Sequence, residues 1–179
     1  MALVDQIVLA FNQCFLHSYQ TCLVGNSDEP LYLPAKDDQP AKILFRLDYA
    51  SSALHEVSHW CIAGAKRRQL EDYGYWYETD SRNLTQQAEF EQVEVKPQAV
   101  ECILHWSAGM PFNVSVDNLA YPDYDASPFR KAVMQQVESY IENKNLPYRA
   151  EIYARFLLAK RHPDVDFNEF LKHEYENRC

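Results

Sequence analysis

The spacing of two histidines is the feature that most restricts the fold of this chain. Within "SSALHEVSHWCIAGAKRR", residues 51–68, His55 and His59 enclose Glu56 in an H-E-x-x-H pattern. Side chains four residues apart lie one above the other on a single face of an α-helix. The pattern therefore predicts a helix from about residue 51 to about residue 66, with both imidazoles on one face.

Two imidazoles on one helical face can hold one metal ion, and the H-E-x-x-H pattern is the one that zinc proteases use. Glu56 projects about a quarter turn away, where it can act as a general base or hydrogen-bond a water on the metal. The alternative is a partly exposed helix that merely contains two histidines. Trp60 and Ile62 favour a core-facing helix instead, and buried imidazoles need partners.

A third ligand has to come from elsewhere in the chain. Ile62 and Ala65 stand where the extended zinc-protease motif has glycine and histidine. We favour a carboxylate from "EFEQVEVKPQAVE", and within it Glu94, because it lies between two valines. The alternatives in this stretch and beyond it are Glu89, Glu91, Glu101 and, less favoured, Glu78. Two histidines and one carboxylate suit a catalytic zinc and equally suit ferrous iron.

The hydropathy pattern predicts a helix-dominated α+β fold. Apolar residues at helical spacing predict a first helix over residues 2–23, followed by a loop to residue 41. The run "AKILFRLD" predicts a buried strand directly before the motif helix, and "DYGYWYE" and "MPFNVSVDNL" predict two more. Further helices are predicted to begin at Pro97, Ser127, Pro147 and after Asp166, and His105 is expected in the core.

Length and charge narrow the classes of function. The chain has 179 residues and no long linker, so we predict one domain over residues 1–179. A net charge of −9 argues against nucleic acid as a partner. We expect no membrane association, because the chain has no sufficiently long apolar stretch. Five scattered cysteines and an N-terminus without a basic region predict a reduced, cytoplasmic protein.

Four blocks together resemble the bacterial elongation factor P hydroxylase family: "LHEVSHWCIAGAKRR", "DYGYWYE", "FEQVEVKPQA" and "GMPFNVSVDNL". The resemblance implies hydroxylation of the elongation factor P lysine that carries a β-lysyl group. It also implies an iron centre of the two-histidine, one-carboxylate kind, with molecular oxygen as co-substrate. The implied fold is similar to that of a metal-dependent endoribonuclease rather than a jelly roll.

The resemblance assigns the histidine ligands to His55 and His59, and Glu94 is our choice of carboxylate over Glu91 and Glu101. Glu56 is then expected to orient a bound water or to pair with the ammonium of the substrate. A zinc-dependent peptidase or ribonuclease using the same helix is the alternative enzyme. A metal-stabilised binding module is the non-enzymatic one.

Overall fold

The computed structural model describes residues 1–72, 82–116 and 124–178. These residues form a small sheet and six α-helices. The strands are β1 (Thr21–Ser27), β2 (Leu31–Leu33) and β3 (Ala41–Arg46). The helices are α1 (Leu3–Tyr19), α2 (Ala50–Ile62), α3 (Leu84–Ala108), α4 (Ser127–Asn143), α5 (Tyr148–Arg161) and α6 (Phe167–Arg178). The expected α+β, helix-dominated architecture is confirmed.

The sheet has β3 at its centre, with β1 parallel to it on one side and β2 antiparallel on the other. Inward side chains of β3 are Ala41, Ile43 and Phe45, which alternate with more exposed residues as expected for a half-buried strand. The chain leaves β3 and enters α2 after a short turn. The predicted strand before the motif helix is therefore confirmed.

Helices α1, α3 and α5 surround α2, and together with the sheet they bury one hydrophobic core. Its centre is aromatic: Phe11 and Phe15 of α1 contact Trp60 of α2 and Tyr153 of α5. Helix α2 thus has one face fixed in the core. None of the helices in the described parts of the chain is long and apolar enough to span a bilayer.

The C-terminus of α2 is held by two guanidinium groups. Arg149 donates to the carbonyl oxygens of Trp60 at 2.8 Å, Cys61 at 3.0 Å and Ala63 at 2.6 Å, and Arg68 donates to Ala63 at 2.7 Å. These bonds satisfy carbonyls that a helix end leaves unpaired. Helix α2 therefore ends at Ile62, earlier than the predicted residue 66.

Three sequence predictions about secondary-structure elements are wrong. Helix α1 ends at Tyr19 because Gln20 adopts a left-handed conformation with φ 47°, and β1 follows where the predicted helix continued to residue 23. The predicted loop also contains β2. Pro97 lies inside α3 rather than at a helix start. Proline has no backbone N–H, so the carbonyl of Val93, four residues earlier, lacks its helical hydrogen bond. Val93 is exposed, and water can bond to this carbonyl instead.

The segment 110–116 is not a strand, although "MPFNVSVDNL" predicted one. Its backbone groups bond to side chains of α3 instead of to a neighbouring strand, as described below. The rest of that stretch and all but the first residue of "DYGYWYE" lie outside the described residues. Helix α3 ends at Gly109, with φ 76°. The predicted helix start after Asp166 is confirmed, because the side chain of Asp166 caps α6.

Candidate metal centre

The two histidines of α2 point towards α3, and the carboxylate of Glu94 meets them there. The Nε2 atoms of His55 and His59 are 3.1 Å apart, and Nε2 of His59 is 3.3 Å from Oε1 of Glu94. One ligand atom from each of the three residues lies within 4.8 Å of the others. Glu94 is buried, with 2 % of its surface exposed.

These separations fit a single ion. Two ligand atoms each about 2.1 Å from one ion and at right angles to each other are about 3.0 Å apart. The two shortest distances, 3.1 and 3.3 Å, are close to that value. A set of two imidazoles and one carboxylate leaves coordination positions open, which suits iron(II) or a catalytic zinc. The residues therefore fit the metal that the sequence predicted.

The other candidate carboxylates are placed elsewhere. Glu101 lies on the opposite side of the His55 ring, where its Oε2 is 2.8 Å from Nδ1. Glu91 accepts from the amide of Gln87 at 3.2 Å. Glu89 is exposed on α3, and Glu78 lies outside the described residues. Of the carboxylates on α3, Glu94 is therefore the one that the fold brings to the Nε2 atoms.

Glu101 supports the centre from behind. It accepts the Nδ1 hydrogen of His55, which leaves Nε2 of that ring free to face His59 and Glu94. Its other oxygen is 3.4 Å from Nε2 of His105, and Nδ1 of His105 donates to the carbonyl of Pro111 at 2.7 Å. A carboxylate behind a metal-binding histidine fixes the orientation of the ring and increases its basicity.

Burial and charge act in opposite directions on these groups. Burial disfavours charged His55, but Glu101 outweighs it and raises the pKa of His55. Burial also disfavours ionised Glu101, but the His55 and His105 rings outweigh it and lower its pKa. For Glu94, burial is likewise outweighed, here by the hydrogen bond and charge of His59, so its pKa is lowered. Both glutamates are therefore held as carboxylates, the form a ligand needs.

Glu56 is the exception, because it makes no hydrogen bond or ion pair within the described parts of the chain. Burial raises the pKa of Glu56, and the neighbouring histidines offset this only in part. Its side chain lines a cavity of about 430 Å³ together with His59 and Glu94. The remaining walls include the apolar groups Trp60, Ile62, Val93 and Pro97, and Arg67, Arg68, Asp72 and Lys96 also line it. The centre is therefore open on the side of Glu56.

Sequence reasoning missed two side chains of this site, Gln98 and His105. Gln98 is fully buried and donates to Glu94 at 3.4 Å, and His105 lies behind Glu101. A signal was present, because four of the buried polar residues of α3 recur every three or four positions in a largely apolar segment. They are Glu94, Gln98, Glu101 and His105. Glu94 and Glu101 of this stripe contact the histidines of α2.

The fold and these residues define a class: an α+β protein with a candidate two-histidine, one-carboxylate metal centre that opens into a cavity. The sequence profile of the elongation factor P hydroxylase family matches residues 10–169. The elongation factor P lysine hydroxylase of Haemophilus influenzae is 49% identical over 166 residues, which cover 92% of this chain and 93% of that protein. The chain belongs to the elongation factor P hydroxylase family and is an enzyme of the protein-hydroxylase class.

Proposed function

We propose that this protein hydroxylates the lysine of elongation factor P that carries a β-lysyl group, with iron(II) held by His55, His59 and Glu94. The observation that carries the proposal is the convergence of these three ligand atoms beside a cavity, in a chain of the hydroxylase family. The relative from Haemophilus influenzae is named a lysine hydroxylase of the same factor. We place the reaction in the cytoplasm, within one domain over residues 1–179.

The overall reaction converts one C–H bond of the lysine side chain to C–OH. One oxygen atom of O₂ enters the product, and the other leaves as water with two electrons from an external reductant and two protons. The bound metal supplies the oxygen activation that side chains alone lack. The coordination positions left open by three protein ligands provide room for this chemistry beside the substrate.

The residues around the metal divide the remaining tasks. Glu101 holds the His55 ring with Nε2 towards the ligand cluster, and Gln98 holds one oxygen of Glu94. Glu56 presents to the cavity a carboxylate that has no partner among the described residues, and it binds the ammonium group of the arriving lysine arm. The apolar walls at Trp60, Ile62 and Pro97 contact the methylene groups of that arm and exclude water.

A zinc hydrolase would use the same helix with Glu56 as the base. Both matched names are those of hydroxylases, which favours hydroxylation. The likeness of the fold to a metal-dependent endoribonuclease, and the absence of nucleic acid among the partners, stay predictions of the sequence.

The test is the intact mass of β-lysylated elongation factor P after incubation with this protein. The apoprotein is loaded anaerobically with Fe(II) or Zn(II) and then exposed to air and a reductant. We expect a gain of one oxygen atom with iron and no gain with zinc, and no gain on unmodified factor. Oxygen-independent hydrolysis of peptide or RNA by the zinc form, without hydroxylation by the iron form, would contradict the proposal.

A further inference from the structure

We propose that Gln98 is a positioning residue that couples the metal ligand Glu94 to the backbone of segment 111–116. This inference rests on the part of the proposed function that makes Glu94 a metal ligand. The segment is held by polar side chains of α3 along its length. Pro111 accepts from His105, Ser115 exchanges two bonds with Gln98, and Val116 accepts from Gln87.

The orientation of the Gln98 amide is fixed by its partners. Its Oε1 accepts from the N–H of Ser115 at 3.0 Å, and its Nε2 donates to the carbonyl of Ser115 at 2.7 Å. A backbone N–H can only donate and a carbonyl can only accept, so the amide cannot be flipped. In this orientation the second hydrogen of Nε2 is available to Oε2 of Glu94, 3.4 Å away.

The bond to Oε2 decides which oxygen of Glu94 is left for the metal. With Oε2 held by Gln98, Oε1 faces Nε2 of His59 at 3.3 Å. Gln98 is fully buried, so an amide that lost its partners would have no water to replace them. The carboxylate and the segment therefore favour one and the same position of this side chain.

A second series of contacts connects another proposed ligand, His55, to the same segment. His55 is held by Glu101, Glu101 faces His105, and His105 donates to Pro111. Two of the three ligands are thus joined to one short backbone segment through buried side chains. Coupling between two events is reciprocal in free energy, so a docked segment must favour metal binding and a bound metal must favour a docked segment.

The first test compares metal affinity in three full-length proteins: wild type, Gln98→Ala and Gln87→Ala. Gln87 is a matched control, because it is a buried glutamine of the same helix that binds Val116 but contacts Glu91 instead of Glu94. Zn(II) and Co(II) are titrated by calorimetry or against a chelator, and the Co(II) absorption spectrum is recorded. We expect Gln98→Ala to raise the metal Kd about 10- to 100-fold and to alter the spectrum. Gln87→Ala should have a smaller effect on both.

A folded Gln98→Ala protein with the metal Kd and Co(II) spectrum of the wild type would overturn the coupling while leaving the proposed hydroxylation intact. A wild-type protein that binds neither metal would overturn both proposals together. Loss of hydroxylation with unchanged Co(II) binding would also count against the coupling.

The second test needs no variant and covers the case in which Gln98→Ala does not fold. Hydrogen exchange of the wild-type protein is measured with and without Zn(II). The Ser115 amide, which bonds to Gln98, is compared with the Leu23 amide, which bonds to the side chain of Asn12 at 2.9 Å on the α1–β1 side of the fold. Metal should slow exchange at Ser115 about 5-fold or more beyond its effect at Leu23. Equal slowing at both amides would refute the coupling.

Discussion

The inner and outer sides of the candidate metal centre are built differently. On the inner side, Glu101 and Gln98 are buried and each contacts a proposed ligand and a second group behind it. On the outer side, Glu56 has no hydrogen-bond partner in the described residues and lines the cavity. Both sides carry a glutamate close to the histidines of α2. Each oxygen of Glu101 faces a histidine ring, whereas Glu56 has no such partner among the residues that the structure describes.

In the proposed centre, this difference separates the groups that would hold the metal from the group that would contact the substrate. A buried polar group is retained only with its partners satisfied, so the inner groups serve rigidity. A carboxylate that lacks partners beside a cavity is available to a ligand, and burial without a partner favours a cationic one. Each side can be changed separately by substitution.

Removing a ligand should have the largest effect. His59→Ala takes away the imidazole that faces both Glu94 and the cavity. We expect the metal Kd to rise more than about 100-fold and hydroxylation to be lost. This rise exceeds the one expected for residues that contact a ligand without binding the metal. Metal titration and intact-mass analysis measure this, with the exposed His17→Ala as control. A His59→Ala protein with wild-type metal affinity would exclude His59 from the centre.

Changing the inner side should have the next largest effect. Glu101→Gln keeps the shape of the side chain but removes the charge that orients His55. We expect the metal Kd to rise about 10- to 100-fold, while Glu89→Gln on the exposed face of α3 leaves it unchanged. Competition titration with a chelator measures both. If the two variants weaken metal binding equally, the support behind His55 is not the role of Glu101.

The sequence could predict the two candidate histidine ligands because their spacing is local. His55 and His59 share a face on any helix, and that helix formed. Glu94 could be chosen only by its apolar neighbours, and the fold places it beside the histidines. The role of Glu101 could not be read in the same way, because it depends on the ring nitrogen that α3 approaches. That is set by the packing of α3 on α2, a tertiary property.

The errors in the fold predicted from the sequence have a similar origin. The apolar run after Tyr19 continued the helical spacing of α1, and only the left-handed conformation of Gln20 ends that helix. A proline is common at the start of a helix, but α3 continues through Pro97 because tertiary packing stabilises the helix there. Segment 110–116 has the composition of a strand, yet its partners are side chains of Gln98 and His105. Local patterns do not identify such partners.

Changing the outer side should affect substrate and spare the metal. Glu56→Gln removes the charge of the Glu56 carboxylate, which lines the cavity, and leaves the inner contacts in place. We expect the metal Kd to stay close to the wild-type value and the KM for β-lysylated elongation factor P to rise about 10-fold, since an ammonium group loses a charged partner. Glu56→Asp should recover part of the loss. A large loss of metal affinity in Glu56→Gln would place Glu56 on the inner side and remove the contrast.

The smallest effect concerns the apoprotein and its pH dependence. The lowered pKa of Glu101, about 2 against an ordinary 4.5, gives stability that is present above pH 4.5 and lost as the pH falls through the folded value. The raised pKa of His55, about 10 against 6.5, gives stability that is present below pH 6.5 and lost as the pH rises towards 10. The inner pair of Glu101 and His55 therefore stabilises the metal-free fold most between pH 4.5 and 6.5.

The test is urea unfolding in the presence of a chelator. The difference in unfolding free energy between wild type and Glu101→Gln should shrink from about pH 6 to about pH 9. Glu56→Gln should show a smaller change over that range, because Glu101 makes the larger charge contribution to the raised pKa of His55 and burial outweighs the histidines at Glu56. A difference for Glu101→Gln that stays constant with pH would mean that the inner side is held by packing rather than by charge.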